Sequence, residues 1–245
     1  MRVVEKGRIK ILLNRDVQPH YLVAGFHGIG HVGWISVRHL VEKTNAERVG
    51  YVFSPYMQPF VSIKKGVKTP YEFYLTGDTL YFLPNVPLSQ KDASIVTLSL
   101  AEFALEVGVR EAILFGGLDH RFKEDDKIRL APTTAFYNER RELFETGKLK
   151  LIEEGLGVVG PLAILLSVFE AEGVPAVAIL PYAAPDRPDP KAAAEALRMF
   201  NEIYGYSVTV DELIEEGTML ERELEEVERK MREMVKEREP PVYHV

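Results

Sequence analysis

Residues 21–42, YLVAGFHGIGHVGWISVRHLVE, decide the fold. Tyr21 to Phe26 is a short apolar run of the kind that forms a strand buried on both faces. Glycines at Gly25, Gly28, Gly30 and Gly33 then punctuate the chain, and from about His31 to Glu42 apolar residues return at helical spacing. A second strand pattern, Arg48 to Phe53, stops at Ser54-Pro55. Strand, glycine loop, helix, strand is a unit that joins parallel strands.

The alternation continues downstream. Glu72–Leu75 and Thr79–Leu83 flank Gly77-Asp78, a dipeptide suited to a tight hairpin turn. Residues 88–108 carry Ala93, Val96, Leu100, Phe103, Ala104 and Val107 on one helical face and end at Gly108. Ala112–Phe115 reads as a buried strand, Thr133–Tyr137 as a weaker one, Gly160–Ala171 as an apolar helix and Ala176–Leu180 as the last strand. A helix over Ala192–Tyr204 follows Asp189, a capping residue, and Pro190, which suits the first helical position. The order predicts an α/β fold of three layers, helices on both faces of a mostly parallel sheet, over residues 1–210.

Composition narrows the function classes. The 245-residue chain is 46% hydrophobic and 27% charged, values of a folded globular domain. Its longest apolar run, Leu162 to Phe169, is far short of the roughly 20 residues a membrane span needs. The first residues meet charge too early for a signal peptide, so a cytoplasmic location and no membrane partner are expected. The absence of cysteine excludes disulfides, thiolate nucleophiles and Cys-ligated zinc. Eight Asn and Gln against 67 charged residues leans toward a thermophile. A net charge of −7 argues against nucleic acid as a partner; the Lys64–Lys68 stretch reads as a solvated turn.

Gly28, Gly30 and Gly33 match the GxGxxG spacing of a dinucleotide loop, in which glycines let a pyrophosphate approach a helix N-terminus. The acid that should follow the second strand is missing, since Ser54 and Pro55 stand there. Two readings therefore stand: a structural turn with close helix–strand packing, or a nucleotide- or nucleoside-binding loop with His120 or Asp119 as acid–base group and Glu170 or Asp125 nearby. His27 and His31 lack a third ligand for a metal. Trp34 reads as a packing residue. No catalytic motif accompanies these residues, and no cofactor or enzymatic activity is expected.

From Asp211 the chain turns acidic. Residues 211–239 hold twelve acidic and six basic side chains, a net −6. Leu213, Leu220, Leu224, Val227, Met231 and Met234 are spaced by 7, 4, 3, 4 and 3, a heptad seam with Gly217 in the empty slot. Such a stripe needs a second surface: its own domain, another subunit or a partner helix. Residues 240–245 close the chain with Pro240 and Pro241, which cannot continue a helix, and the apolar-aromatic group Val242-Tyr243-His244-Val245.

Residues 25–42 (GFHGIGHVGWISVRHLVE), 113–121 (ILFGGLDHR), 153–183 and 187–205 (RPDPKAAAEALRMFNEIYG) together resemble the second proteasome-assembling chaperone family and its archaeal homologues. The resemblance spans about Leu22 to Val210. It implies a Rossmann-like sandwich shaped like nucleoside phosphorylases, a homo-oligomer, and a chaperone or adaptor without catalysis. The implied partner is the proteasome core particle or its subunits, with a further adaptor protein as a second candidate. It also implies a role for the end of the chain, because archaeal members insert a C-terminal hydrophobic-Tyr-X motif between subunits of the proteasome α-ring. Val242-Tyr243-His244 fits that pattern, with Val245 as one additional residue.

Overall fold

The computed structural model describes residues 2–63, 66–123 and 126–238. Its strands are β1 (Arg2–Lys6), β2 (Ile9–Leu13), β3 (Tyr21–Gly25), β4 (Glu47–Phe53), β5 (Ser62–Ile63), β6 (Val67–Lys68), β7 (Tyr71–Thr76), β8 (Thr79–Pro84), β9 (Glu111–Phe115), β10 (Leu118–Asp119), β11 (Ile128–Pro132) and β12 (Ala176–Ala183). The helices are α1 (Val32–Lys43), α2 (Gln90–Glu106), α3 (Thr134–Glu139), α4 (Arg141–Glu145), α5 (Pro161–Ala171), α6 (Pro190–Tyr204) and α7 (Asp211–Arg238).

Ten strands form one sheet in the order β1-β2-β4-β7-β8-β3-β9-β12-β10, with β11 also on β12; β5 and β6 make a separate two-stranded ribbon. The centre is parallel: β8, β3, β9 and β12 pair in one direction. An antiparallel wing, β1-β2-β4-β7, extends from β8. Only β2, β7 and β11 run against the common direction, so the sheet is mostly but not purely parallel.

Each central strand feeds two cores because successive side chains point to opposite faces. Leu22 and Ala24 of β3, with Ala112 and Leu114 of β9, face α2 and α5 through Phe103, Leu165 and Phe169. Val23, Ile113 and Phe115 face α1 and α6 through Leu40, Leu197 and Phe200. Both faces are covered, which is why these strands read as continuous apolar runs rather than as alternation.

Two expectations need correction. The unit β3-α1-β4 does not place β4 beside β3: β7 and β8 lie between them, and β4 pairs antiparallel with β2 and β7. Thr133–Tyr137 is not a strand. The strand is β11, and Thr133 caps α3 by accepting a hydrogen bond from the Phe136 N–H at 3.4 Å. The chain also begins with an antiparallel hairpin, β1–β2, turned at Gly7 with φ +58°.

Candidate functional site

The carboxyl ends of β3, β9 and β12 meet at the glycine loop. After β3 the chain makes a 3-10 turn at Ile29–His31, where Gly30 (φ +60°) and His31 (φ +49°) are left-handed, and then enters α1. A Cβ on Gly25 would lie 2.2 Å from the carbonyl oxygen of Gly33, and one on Gly33 would lie 2.4 Å from that of Phe115. Helix α1 thus rests backbone to backbone on the sheet. Three amides of this segment bond within it: Gly28 N–H donates to Phe26 O at 2.9 Å, His31 N–H to Gly28 O at 2.9 Å and Trp34 N–H to Phe26 O at 3.2 Å. Gly30 O accepts from Asp189 N–H at 2.8 Å, tying the loop to the start of α6.

Above the loop lies a cleft of ≈ 350 Å³, walled by Phe26, Leu88, Phe115, Val158, Leu162 and Leu180. Its volume is at the lower end for small-ligand pockets. Among the described residues, His27 is the only titratable one on its wall. The imidazole stacks on Trp34 with centroids 4.8 Å apart and meets His31 edge-on at 5.5 Å. His27 Nδ1 and Trp34 Nε1 are buried without a hydrogen-bond partner. Burial, with His31 as the second cause, pushes the His27 pKa down to about 4.

That depression has a stability signature. The unfolded chain takes up a proton on His27 near pH 6.5, the folded chain only near 4. Acidification through that window therefore favours unfolding, by at most ~3 kcal/mol and less insofar as solvent reaches the ring. His27→Gln should flatten the fall of Tm between pH 6.5 and 4; an unchanged slope contradicts a buried neutral imidazole.

Among the described residues the cleft wall carries no Lys or Arg, so a phosphate placed here would lose its hydration without gaining a charged side chain. AMP, ATP, NAD and inorganic phosphate are expected to leave Tm unchanged in a thermal-shift titration. A saturable rise of several degrees would restore the nucleotide reading.

The acid–base candidates are engaged with other groups. Asp119 is gripped by the Arg121 side chain, with Nε at 3.0 and 2.9 Å from its two oxygens, and this holds its carboxyl down at about 2. His120 Nδ1 sits 3.1 Å from the carbonyl of Ala183. Glu170 accepts the Thr134 N–H at 2.7 Å and so serves the start of α3. Asp125 is outside the described residues. Among the described residues no three His, Asp or Glu side chains converge as metal ligands, and no helix is long and apolar enough to cross a membrane.

Helix α7 is the other candidate. Its first turns pack on the domain: Leu213 is fully buried, His39 Nε2 lies 2.7 Å from Thr209 O, and Glu212 pairs with Lys43. Gly217 lies against Lys191, where a Cβ would come within 2.7 Å of the lysine Cγ. The slot that breaks the heptad is where the helix crosses the start of α6. Glu221 pairs with Lys191, and Leu220 and Leu224 are half-buried. The side chains of Val227, Met231 and Met234, and all of Pro240, Pro241, Val242, Tyr243, His244 and Val245, lie outside the described residues.

Comparison with known proteins now bears on the whole arrangement. A Methanocaldococcus jannaschii protein of uncharacterized function is 26% identical over 251 residues, covering 99% of this chain and 98% of its own. The crystal structure of Pyrococcus furiosus PbaA, an archaeal homolog of proteasome-assembly chaperone, superposes with a TM-score of 0.80 at 23% identity, covering 94% of this chain and 95% of PbaA. Pyrococcus furiosus PbaB, an archaeal proteasome activator, gives 0.75 at 22% identity over 91% of this chain and 100% of PbaB. The PAC2 family model matches residues 22–228, from β3 through the glycine loop and well into α7, and the chain belongs to the PAC2 family.

Proposed function

We propose that this protein is a cytoplasmic, proteasome-associated adaptor, working as an assembly chaperone or an ATP-independent activator, that docks its final residues into the α-ring of the core particle. Family membership over residues 22–228, together with the likeness to PbaA and PbaB, is the observation that carries this reading.

The physical design is peptide-tail capture. Helix α7 runs 17 residues beyond the Glu221–Lys191 pair to Arg238, which at 1.5 Å per residue carries the chain ~26 Å further along the helix axis. Pro240 and Pro241 then favour an extended segment that loses less entropy on docking. Tyr243 supplies a ring and a hydroxyl, Val242 an apolar contact, and a carboxylate at the end meets a lysine of the ring. One such hook binds weakly. A homo-oligomer joined through the α7 seam presents several at once and gains avidity through effective concentration.

The test is binding of full-length protein and of protein lacking residues 240–245 to purified archaeal core particle, with peptide hydrolysis as the second readout. Equal binding and equal stimulation by the two proteins would end the tail mechanism.

A further inference from the structure

The cleft beside His27 takes no part in tail capture. It opens at the carboxyl ends of neighbouring parallel strands: Leu88 follows β8, Phe26 follows β3, Gly116 and Gly117 follow β9, and Leu180 stands in β12. Residues 157–162, on the approach to α5, supply the remaining side. Ligands of open parallel sheets lie at this end, because the loops that leave the strands diverge there and open a crevice. At ≈ 350 Å³ the space is more than twice the ~150 Å³ in which an apolar protein cavity takes up benzene.

The chemistry of the wall is one-sided. Among the described residues, every side chain on it is hydrocarbon except that of His27. The imidazole is itself neutral at pH 7, since burial holds its pKa at about 4. Its Nδ1 lacks a hydrogen-bond partner, so one unmet polar group stands in an otherwise apolar surface. At the rim, Val159 is 83% exposed between Gly157 and Gly160. An apolar side chain left in water beside an apolar cleft gains from any occupant that covers it.

These features select the occupant. A carboxylate or phosphate would lose hydration and meet no cation, and an ammonium would lose hydration and meet no acid. An extended peptide brings an N–H and a C=O at every residue, and the wall offers one side chain to pair them. An uncharged ring with a single hydrogen-bonding group has neither difficulty.

We infer that the cleft is a binding site for an uncharged, mainly apolar small molecule of one or two rings, with His27 as the one side chain that hydrogen-bonds it. The ring lies among Phe26, Leu88 and Leu162, and Val159 covers it from the rim. The site does not depend on the proteasome reading, and its test contains no proteasome.

Calorimetric titration of the full chain with indole decides it, with 1-methylindole and indole-3-acetate as paired probes. Indole is expected to bind one to one and, at ten times its Kd, to raise Tm by roughly 3–5 °C. Without the N–H, 1-methylindole should bind about two- to tenfold more weakly. Indole-3-acetate, which brings a charge, should lose about tenfold or more. His27→Phe keeps a ring against Trp34 and should give indole and 1-methylindole equal affinity. Ala93→Phe fills the cleft from α2 and should abolish indole binding, with Leu88→Trp as the second variant if that chain fails to fold. Neither heat nor a Tm shift with about 5 mM indole would overturn the site. So would tighter binding of indole-3-acetate than of indole, or undiminished binding in a folded, cleft-filled variant. Equal affinities of indole and 1-methylindole in the wild type would overturn the role of His27.

Discussion

Deleting Pro240 to Val245 is expected to abolish measurable binding to the core particle while leaving Tm and oligomer mass unchanged. The size of the effect follows from multivalency. Linked hooks gain on the order of 10²–10⁴ in apparent affinity over one hook, and removal forfeits both that gain and the contacts themselves. Tyr243→Ala should approach the same result, since a buried tyrosine anchor typically carries about 2 kcal/mol or more. Removing Val245 alone is a register test. One residue shifts the carboxylate by ~3.3 Å relative to the tyrosine ring, and the two-residue spacing of the hydrophobic-Tyr-X pattern is restored by its loss. Binding should tighten.

The second large effect concerns the scaffold. Gly33→Ala and Gly25→Ala each introduce a Cβ where backbone already stands, 2.4 Å from Phe115 O and 2.2 Å from Gly33 O. Neither contact can be relieved by a side-chain rotation, so α1 must lift from the sheet and open the core around Val32 and Leu40. A loss of about 4 kcal/mol or more is expected, a large part of a typical total stability of about 5–15 kcal/mol. That corresponds to a Tm drop on the order of 10 °C, or failure to accumulate as soluble protein. Gly28→Ala is the control. Nothing lies within 4 Å of its Cβ position and its φ of −114° suits any residue, so the change should stay within about 1 kcal/mol. Equal losses at Gly28 and Gly33 would mean that the loop, and not the helix contact, sets the stability.

These two sets of residues also mark what the sequence could and could not disclose. The layers were legible because β3, β9 and β12 are buried on both faces and leave continuous apolar runs between helical periods. Asp189 and Pro190 were legible because capping is local: the Asp189 carboxylate accepts the Ala192 N–H at 3.0 Å. Strand order was not legible. Pairing of β4 with β2 and β7 is non-local, and nothing in residues 47–53 distinguishes that partnership from one with β3. The β1–β2 hairpin has period-two burial at Ile9, Ile11 and Leu13, but Glu5, Lys6, Arg8 and Lys10 dilute the apolar pattern in the sequence. Thr133–Tyr137 carries strand-type residues, and a single hydroxyl cap outweighs that propensity.

For the candidate site, the heptad spacing of residues 213–234 was visible, whereas the point where α7 crosses α6 was not. Gly217 fills a vacant seam position on paper; in the fold it lies against Lys191. The cleft beside His27 was not legible either, because its walls come from segments as far apart as Phe26, Leu88 and Leu162.

The most direct measurement places a photo-crosslinking amino acid at position 243 and irradiates the protein together with purified core particle. Tail capture predicts covalent adducts to α-subunits, mapped to the crevices between neighbours and lost on competition with a peptide of residues 239–245. Adducts confined to the protein's own chain, with the α-ring unlabelled at saturating concentration, would contradict the account.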